Sequence, residues 1–403
     1  MADESASATV EAASADGRAI PKGVWALGFV SLLMDTSSEM IHSLLPVFLT
    51  SVLGVSALSV GIIEGIAEAT AAITKVFSGA ISDWAGKRKP LVLFGYGLAA
   101  LTKPVFALAP SLGWVVTARF ADRLGKGIRG APRDALVADL TPPHLMGAAF
   151  GLRQSLDTVG AFAGPIIAIL VMAMTSDDYR LVFWIATIPA LLAVLLIVFG
   201  IREPTTHKVA AKARLSWAEV KRFPLAYWAV VAIAMLMTLA RFSEGFLLLR
   251  AQSVGLQAAL VPLVFVAMNI VYAASSYPVG HLSDRLGRRG LLLGGFAILI
   301  VADLVLAQAS GIGQVMVGVA LWGLHMGMTQ GLLATLVADT APASLRGTAF
   351  GVFNLASGIA LLFASVIAGW LWTVIGPSAT FQAGAAFTAI AVVALLFWRG
   401  GRR

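Results

Sequence analysis

Residues 79–89 read Gly79-Ala-Ile-Ser-Asp83-Trp-Ala-Gly86-Lys87-Arg88-Lys89 and lie between two long apolar segments. The spacing of the first glycine, the aspartate and the second glycine returns as Gly280, Asp284 and Gly287, an offset of 201 residues from 79 to 280. Arginines follow this second copy, as basic residues follow the first. A polar loop that occurs twice between apolar segments indicates two related halves in one chain.

Two other stretches repeat at almost the same offset. Leu136-Val-Ala-Asp139 returns as Leu336-Val-Ala-Asp339, and Gly147-Ala-Ala-Phe-Gly151 returns as Gly347-Thr-Ala-Phe-Gly351. Both offsets are 200 residues, from 139 to 339 and from 147 to 347. Agreement among three separate stretches predicts that the second half repeats the elements of the first in the same order.

The composition excludes a water-soluble body. Hydrophobic residues make up 59% of the 403 residues and Asp, Glu, Lys and Arg only 12%, which leaves too little polar surface to face water. Cysteine is absent, so disulfides and thiolate metal sites are excluded. The net charge of +8 does not indicate a nucleic-acid partner, because the basic residues stand in short clusters between apolar runs.

Twelve apolar runs are long enough to cross about 30 Å of hydrocarbon as helices. They lie at 24–52, 58–82, 90–109, 112–138, 148–174, 179–200, 225–249, 258–283, 290–309, 313–337, 348–373 and 379–398. We therefore predict an all-α polytopic membrane protein. The repeats divide it into a six-helix bundle at 21–201, a linker at 202–224 and a second six-helix bundle at 225–403.

Basic clusters alternate with uncharged loops along the chain. They follow the second and eighth runs, occur in the linker and end the chain, whereas the loops at 109–112 and 309–313 carry almost no charge. The positive-inside rule predicts that both termini and the linker are cytoplasmic, in a multi-pass protein of the cytoplasmic (inner) membrane. We expect residues 1–20 to be a disordered cytoplasmic tail. Residues 203–223 are expected to form either a short surface helix or a solvated connector.

The two polar loops resemble the cytoplasmic loop motif of the major facilitator superfamily, and the resemblance covers the chain after its tail. In each copy the glycines permit close helix approach and a tight turn, and the aspartate accepts hydrogen bonds from a helix N-terminus or an arginine. The resemblance implies a secondary transporter that alternates between inward- and outward-facing states, with this loop as a latch. The predicted gating residues of the loops are Gly79, Asp83, Gly86, Arg88, Gly280, Asp284 and Gly287.

The fourth apolar run carries a stripe of charges. Their spacing of i, i+3, i+4, i+7, i+10 and i+14 places them on one helix face: Arg119, Asp122, Arg123, Lys126, Arg129 and Arg133. Charges within hydrocarbon are costly and must face a cavity or partners. Arg119 stands where the superfamily has its fourth-helix arginine. The residues from Lys126 to Arg133 can also be read as the cytoplasmic end of this helix.

Acidic residues of the first two runs supply partners for these arginines. Counting about 1.5 Å per residue along each helix, we expect Glu39 and Glu64 to lie near Arg119, and Asp35 and Glu68 to lie near Arg123. Such a network can be purely structural. It can also carry a proton, because burial disfavours the charged form of a carboxyl and a nearby arginine favours it. We hypothesise that one of these four acids is the proton carrier.

A substrate cavity is expected between the halves near the middle of the membrane. Its predicted polar contacts are His42, Lys126, Arg241, Glu244, Asn269, Trp322, Gln330 and Asn354. The excess of basic residues in the first half suits an anionic or zwitterionic solute, although the neighbouring acids offset it. The expected partners are therefore the lipid bilayer and a small solute, and we expect a functional monomer.

The fifth apolar run contains Gly160-Ala-Phe-Ala-Gly164-Pro165, which resembles the antiporter motif of exporters in the superfamily. The two glycines provide a groove for close packing and Pro165 a kink. The second half has no copy of this Gly-Pro pair. We expect this helix to pack against the other half, and the motif predicts efflux in exchange for protons. A general helix-packing role is the alternative interpretation of the motif.

Other classes of protein find little support. The chain has neither a HExxH sequence nor a phosphate-binding GxxxxGK[ST] loop, so we expect no enzyme and no ATP-driven pump. We expect no cofactor, with the proton gradient as the energy source. The alternative function is proton-coupled import of an organic anion or of a metal or metal chelate. A metal substrate has only His325 and Met326 in its favour, and such a pair in an apolar helix is usually packing.

Overall fold

A computed structural model describes residues 20–85, 87–142, 145–202, 223–286, 288–341 and 346–397. Within these ranges the chain forms helices and no strand. The twelve principal helices are α1 (Lys22–His42), α2 (Ala57–Ala85), α3 (Lys89–Leu108), α4 (Leu112–Leu140), α5 (Met146–Met174), α6 (Tyr179–Gly200), α7 (Leu225–Ala240), α8 (Leu263–Leu286), α9 (Arg288–Gln308), α10 (Ile312–Thr340), α11 (Arg346–Val374) and α12 (Pro377–Phe397). The terminal tail and the linker at 203–222 lie outside the described residues.

Two of the predicted continuous helices are broken. After α1 the chain continues as Leu45–Val47 and a π-helical turn at Phe48–Val52, which together form the α1 extension. Pro46 explains this break, because its ring would clash with the carbonyl of His42, four residues earlier. After α7 the helix resumes as Gly245–Ser253, the α7 extension.

The break after α7 is made by polar groups. Arg241 has non-helical torsion angles, with φ −104° and ψ 66°. The backbone N–H of Ser243 then donates to Ser365 Oγ at 3.1 Å, a bond to another helix that replaces one within α7. Hydropathy alone gives no sign of either break, because apolar residues flank both.

Ten helices are long and apolar enough to cross a membrane by length and composition, within the described ranges. They face outward with large apolar side chains such as Phe94, Leu101 and Phe199, which are 60%, 67% and 82% exposed. The other two principal helices, α1 and α4, carry charged residues in their middle turns. Those charges are tolerated because they face the interior of the bundle, not lipid.

The two halves repeat the same packing. In the first half α1 packs against α5 and α6, α3 against α4 and α6, and α2 against α4. In the second half α7 packs against α11 and α12, α9 against α10 and α12, and α8 against α10. Each contact in one half therefore has a counterpart six helices later, as the sequence repeats predict.

Arginines cap corresponding helices in the two halves. Arg180 donates to the Ala109 carbonyl at 2.9 Å, just after α3, and Arg250 donates to the Ala309 carbonyl at 2.6 Å, just after α9. Both acceptors are carbonyls at a helix end, which lack a partner within the helix. The acceptors are 200 residues apart, but the arginines come from α6 and from the α7 extension, so the same contact is made from different elements.

The halves meet most closely along α2 and α11. A Cβ atom on Gly61 would lie 2.2 Å from the Ser365 carbonyl oxygen, and one on Gly369 would lie 2.6 Å from the Ala57 carbonyl oxygen. Side chains larger than hydrogen therefore do not fit at these crossings. Helix α5 also contacts α8 across the same interface.

The end of the bundle opposite the chain termini is closed. There the α1 extension packs against the α7 extension, and Gln252 Nε2 donates to Ser51 Oγ at 2.5 Å. Phe48 and Phe246, from opposite halves, belong to the same apolar cluster at this end and are 1% and 0% exposed. The closed end thus combines an apolar seal with a polar contact between the halves.

Candidate functional site

Two adjoining cavities lie between the halves. Cavity A has a volume of about 410 Å³ and is bounded by α1, α2, α4 and α5 of the first half and by α7 and α11 of the second. Cavity B, of about 280 Å³, lies nearer the closed end and reaches the break in α7. Glu39, Glu68, Lys126 and Leu361 belong to both walls, so the two cavities form one continuous site.

The wall of cavity B contains a paired arginine and glutamate. Arg119 of α4 meets Glu64 of α2 through two hydrogen bonds, with Nη2 at 2.5 Å from Oε2 and Nε at 3.1 Å from Oε1. Both residues are buried. The planar guanidinium suits this two-point contact, which fixes α2 against α4.

Arg123 forms a second ion pair one turn further along α4. Its Nη1 lies 3.1 Å from Glu68 Oε1, and Arg119 Nη2 lies 3.6 Å from the same oxygen. The predicted neighbours Glu64 with Arg119 and Glu68 with Arg123 are therefore in contact in the structure. Two arginines and two glutamates form a ladder between α2 and α4 on the cavity wall.

His42, at the end of α1, joins this ladder to the first helix. Its Nε2 contacts Arg119 Nη1 and lies 2.6 Å from Arg123 Nη2. A guanidinium only donates hydrogen bonds, so the ring nitrogen that faces both arginines is an acceptor. The break in α1 directly after His42 leaves this side chain at the junction of α1, α2 and α4.

Asp122 is held by two cations. Lys103 Nζ of α3 lies 2.9 Å from Asp122 Oδ1, and Arg123 Nη2 lies 3.0 Å from Asp122 Oδ2. Lys103 also donates to Ser38 Oγ at 3.1 Å. Asp122 was predicted as a member of the network, whereas Lys103 was not predicted as a site residue. The pair ties α3 to the charged face of α4.

The expected positions of the other two acids are wrong. Glu39 lies 3.7 Å from His42 instead of beside Arg119, and Asp35 lies against Asp157 of α5 instead of Arg123. Counting residues gives the depth of a side chain in the membrane but not its direction around the helix axis. The close packing of α5 on α1 determines that direction, because Gly160 faces Asp35.

Asp35 and Asp157 form a carboxyl pair between α1 and α5. The carboxyl group of Asp35 is within hydrogen-bonding reach of Asp157. Asp157 Oδ1 is buried and has no hydrogen-bond partner among the described residues. Arg153 and Arg133 stand 3.6 and 3.8 Å away, beyond hydrogen-bond distance. Two neighbouring carboxylates repel each other, and the two arginines offset part of that repulsion, so the pair is a candidate site for a shared proton.

The glycines of the fifth run pack within their own half. A Cβ atom on Gly164 would lie 2.6 Å from the Thr36 carbonyl oxygen and 2.7 Å from Glu39 Cβ. Helix α5 does contact α8 of the other half, as expected, but these two glycines face α1 and do not make that contact. The glycines instead bring α5 onto the face of α1 that carries the acids, and Pro165 lies inside α5 beside them. Without a Cβ, the two helix backbones approach closely here.

Five of the predicted cavity residues line the site. His42, Arg241 and Glu244 line cavity B, Asn354 lines cavity A and Lys126 lines both. Arg241 and Glu244 are 3.9 Å apart at the break of α7.

Two other predicted cavity residues lie elsewhere. Trp322 is fully buried in the second half, with its ring centroid 5.5 Å from that of Phe242, so its assignment to the cavity is wrong. Its size and aromatic packing place it in the core. Asn269 is in neither wall. The side chain of Gln330 lies outside the described residues.

Further members of the cavity A wall were not predicted as site residues. They are Lys75, Arg129, Arg133, Asp157, Thr238 and Ser357. Arg129 and Arg133 could have been predicted as cavity residues, because they belong to the charged stripe of α4. Nothing in the sequence marks Thr238 and Ser357 as cavity residues, because small hydroxyl residues are common in membrane helices and often form hydrogen bonds with their own backbone.

The first polar loop is described in part. Gly79 approaches α4 closely, since a Cβ atom there would lie 3.3 Å from Ala131 Cβ. Arg88 Nε lies 2.5 Å from Asp139 Oδ2, and Arg88 Nη1 donates to Ser82 Oγ at 3.1 Å. Two of the repeated stretches thus contact each other through Arg88 and Asp139.

The remaining gating residues are not described in the same detail. Gly86 and Gly287 lie outside the described residues, and nothing is described of the side chains at Asp83, Gly280 and Asp284. Their roles remain predictions.

The described part of the chain contains no group of residues suited to bind a metal ion. No set of three or more His, Cys, Asp or Glu residues there is arranged to hold a metal ion. His325 Nδ1 lies 2.9 Å from the Gly295 carbonyl oxygen, and Met326 belongs to an apolar cluster. These contacts agree with a packing role for both residues.

Comparison with known proteins agrees with this architecture. The sequence model of the Major Facilitator Superfamily matches residues 27–249 and 233–403. The chain belongs to the major facilitator superfamily. An uncharacterised MFS-type transporter of Methanocaldococcus jannaschii is 33% identical over 94% of this chain and 96% of its own length. The inner membrane transport protein YajR of Escherichia coli is 25% identical, with 92% and 81% covered.

Solved structures show the same fold. That of a point mutant of the nucleoside transporter NupG superimposes with a TM-score of 0.78 at 13% identity, covering 93% of this chain and 98% of that one. Members of this superfamily are secondary transporters, not enzymes, and need no cofactor. The protein is therefore a polytopic membrane transporter with the major facilitator fold.

Proposed function

We propose that this protein exports a small solute across the cytoplasmic membrane in exchange for protons. The observation that carries the proposal is the position of the charged network. The Asp35–Asp157 pair and the arginine ladder of α4 both lie on the wall of the cavity between the halves. A solute in that cavity therefore acts on the same groups that hold the proton.

Alternating access follows from the way the halves meet. Both cavities lie between the halves, and the end opposite the termini is closed by contacts between the α1 and α7 extensions. With both termini in the cytoplasm, as the basic clusters indicate, the closed end faces outward. Release of solute to the outside then requires the halves to separate at this end while they close at the other.

Asp35 is the best candidate for the proton carrier among the four acids. Glu64 and Glu68 are paired directly with arginines, which already supply their counter-charge. Glu39 stands beside His42. Asp35 instead lies beside another carboxyl group and forms no ion pair with a described cation, so a proton on Asp35 would remove the repulsion between the two acids. A shift of α1 against α5 would separate the two acids and release the proton.

The direction of transport is inferred from the fifth helix. The Gly160-Gly164-Pro165 motif resembles a feature of exporters, and Gly160 packs directly against Asp35, with a would-be Cβ atom 3.0 Å from Asp35 Cβ. Movement at this motif is thus linked by contact to the proposed proton carrier. Exchange follows if solute and proton occupy the site in turn.

Inverted membrane vesicles test the direction and the coupling together. Respiration acidifies their lumen, and acridine orange reports the gradient by quenching. Under the proposal, an added solute enters the vesicles while protons leave, so the fluorescence recovers only when the transporter is present. If an acidic lumen instead drives preloaded solute out together with protons, the protein is a symporter and the proposal is wrong.

The proposed topology has its own test. We propose that both termini and the 202–224 linker are cytoplasmic, and that one chain suffices because the cavity forms between its own halves. The natural chain has no cysteine, so single cysteines can be introduced without background labelling. An impermeant maleimide added to whole cells should label Ser111→Cys, before α4, and should not label Ala85→Cys, at the end of α2. The reverse pattern would contradict the orientation.

A further inference from the structure

We infer that the solute carries an anionic group, and that Lys126, Arg129 and Lys75 bind this group in cavity A. The inference rests on the proposed transport function, because it assigns the solute contacts of the same cavity. It adds the charge of the solute and the residues that recognise it. The solute class is a small organic anion, with a carboxylate, sulfonate or phosphonate at one end.

The basic residues of the cavity walls divide into paired and unpaired ones. Arg119 and Arg123 are bound by Glu64 and Glu68. Arg133 lies 3.1 Å from Asp134 and also approaches Asp157. These arginines already have a counter-charge, so they hold the helices together and need no ligand.

Three other cations of cavity A lack such a partner. Lys75, Lys126 and Arg129 line the cavity and form no ion pair with any acid in the described part of the chain. Arg129 Nη1 is buried and has no hydrogen-bond partner among the described groups, and its guanidinium carbon lies 4.4 Å from the ring centre of Tyr96. An uncompensated cation inside a membrane protein is costly. A ligand that supplies the missing negative charge would relieve this cost.

The acids of the same wall do not cancel these charges. Glu68 is bound to Arg123, and Asp157 is shared between Asp35 and Arg153. Glu39 contacts His42 and offsets one of the three cations at most. The free charge of cavity A is therefore positive.

The three cations are close enough to act on one group. Lys126 and Arg129 follow each other by three residues on α4, which places them on neighbouring positions of one helix face. Lys75 crosses from α2 to the same region, because a Cβ atom on Gly130 would lie 3.6 Å from Lys75 Cδ. Arg129 supplies a planar fork and the lysines supply point charges, a combination suited to a carboxylate or phosphonate.

Lys126 has a special position among them. It lies in the walls of both cavities, and it is exposed within the bundle. Cavity B beyond it is partly lined by Phe242 and Phe265. A solute with its anionic group at Lys126 can place an apolar body against these rings. Together the two cavities offer the space of a small-molecule site, typically about 300–1,000 Å³.

Equilibrium binding to the purified full-length protein tests the inference. The probes are benzoate, benzenesulfonate and phenylphosphonate, with benzamide as the neutral analogue and benzamidine as the cationic one. We expect the anions to raise the midpoint of thermal unfolding and to bind in calorimetry, with affinity that falls as salt increases. Lys126→Gln should weaken anion binding by about tenfold or more, since a hydrogen bond to a charged group is lost. Lys126→Arg should restore most of the binding, because it keeps the charge.

Lys22→Gln is the matched control, since Lys22 is exposed at the start of α1 and lines neither cavity. It should bind the anions as the wild type does. The inference is overturned if benzamide or benzamidine binds as well as the anions, if no anion of the set binds, or if Lys126→Gln binds them unchanged. No gradient is present in this assay, so a symporter would still bind the anions. Proton exchange driven by a cationic solute in vesicles would overturn this inference and leave the proposed function in place.

Discussion

Glu64 and Arg119 meet through two parallel hydrogen bonds, with Oε2 at 2.5 Å from Nη2 and Oε1 at 3.1 Å from Nε. The two residues come from α2 and α4, and α2 is also the helix that packs along α11 of the other half. This pair therefore joins the charged wall of the cavity to the surface on which the halves move. A change in the charge of either residue would therefore affect both the cavity wall and the interface between the halves.

The first prediction concerns the stability of this pair. Glu64→Gln leaves the buried Arg119 with only its longer ion pair to Glu68, at 3.6 Å, and breaking a buried ion pair in this way costs about 3 kcal/mol. The double variant Glu64→Leu with Arg119→Met removes both charges and should recover part of the loss. Thermal unfolding in detergent measures both. Equal stability of the single and double variants would contradict a buried pair as the cause.

The second prediction concerns the proton. Asp35→Asn keeps the shape of the side chain but cannot exchange a proton, so gradient-driven transport should be lost while solute binding and solute exchange without a gradient persist. Proteoliposomes with an imposed pH gradient measure the first, and counterflow measures the second. Asp177→Asn is the control, because it makes the same chemical change at an exposed loop position.

Asparagine tolerates the left-handed backbone of Asp177, where φ is 67°, so the control should fold normally. Gradient-driven transport by Asp35→Asn at the wild-type rate would exclude Asp35 as the carrier. If Glu39→Gln abolished proton-coupled transport and Asp35→Asn did not, Glu39 would be the proton carrier.

The fold could be predicted from the sequence in nearly all its elements. The apolar runs marked all twelve helices, because a membrane permits only helices of about 20 residues or closed barrels. The repeats at Asp139 and Asp339 revealed the two halves. The break after His42 was missed although Pro46 marks it in the sequence. The break after Ala240 could not be predicted, because it depends on a polar contact to a distant helix.

The site could be predicted less completely. The stripe of α4 identified Arg119 and Arg123 because their spacing fixes them on one face. Glu39 and Asp35 were assigned to the wrong partners, since their direction around α1 depends on which helix packs there. Trp322 was assigned to the cavity by its residue type alone, but aromatic side chains fill cores as often as they bind ligands.

The third prediction concerns the contact of α5 with α1. Gly164→Ala places a methyl group about where the Thr36 carbonyl and Glu39 Cβ already lie, at 2.6 and 2.7 Å. Overpacking of this kind costs about 1–3 kcal/mol and would move α1 away from α5. Transport should fall sharply while the protein remains in the membrane, as measured by flux and by membrane immunoblotting. Gly97→Ala on α3 is the control, because its added Cβ would meet nothing within 4 Å.

The last prediction concerns the closed end. Ser51→Cys with Gln252→Cys puts thiols at two positions whose natural side chains are in contact across the halves. Because cysteine is shorter than glutamine, a short bifunctional methanethiosulfonate is used to link the thiols. The cross-link should hold this end shut and stop transport, and a reductant should restore transport. The chain has no other cysteine to interfere.

The control for this cross-link lies within one half. Ser310→Cys with Gln314→Cys joins two side chains that are 3.1 Å apart in the turn between α9 and α10, at the same end of the bundle. The same reagent on this pair should leave transport intact, because the halves stay free to separate. If the pair across the halves also leaves transport intact once gel mobility shows the cross-link complete, the closed end does not open during transport. Alternating access through this end would then be wrong, since a covalent bond between Ser51 and Gln252 positions forbids the separation that it requires.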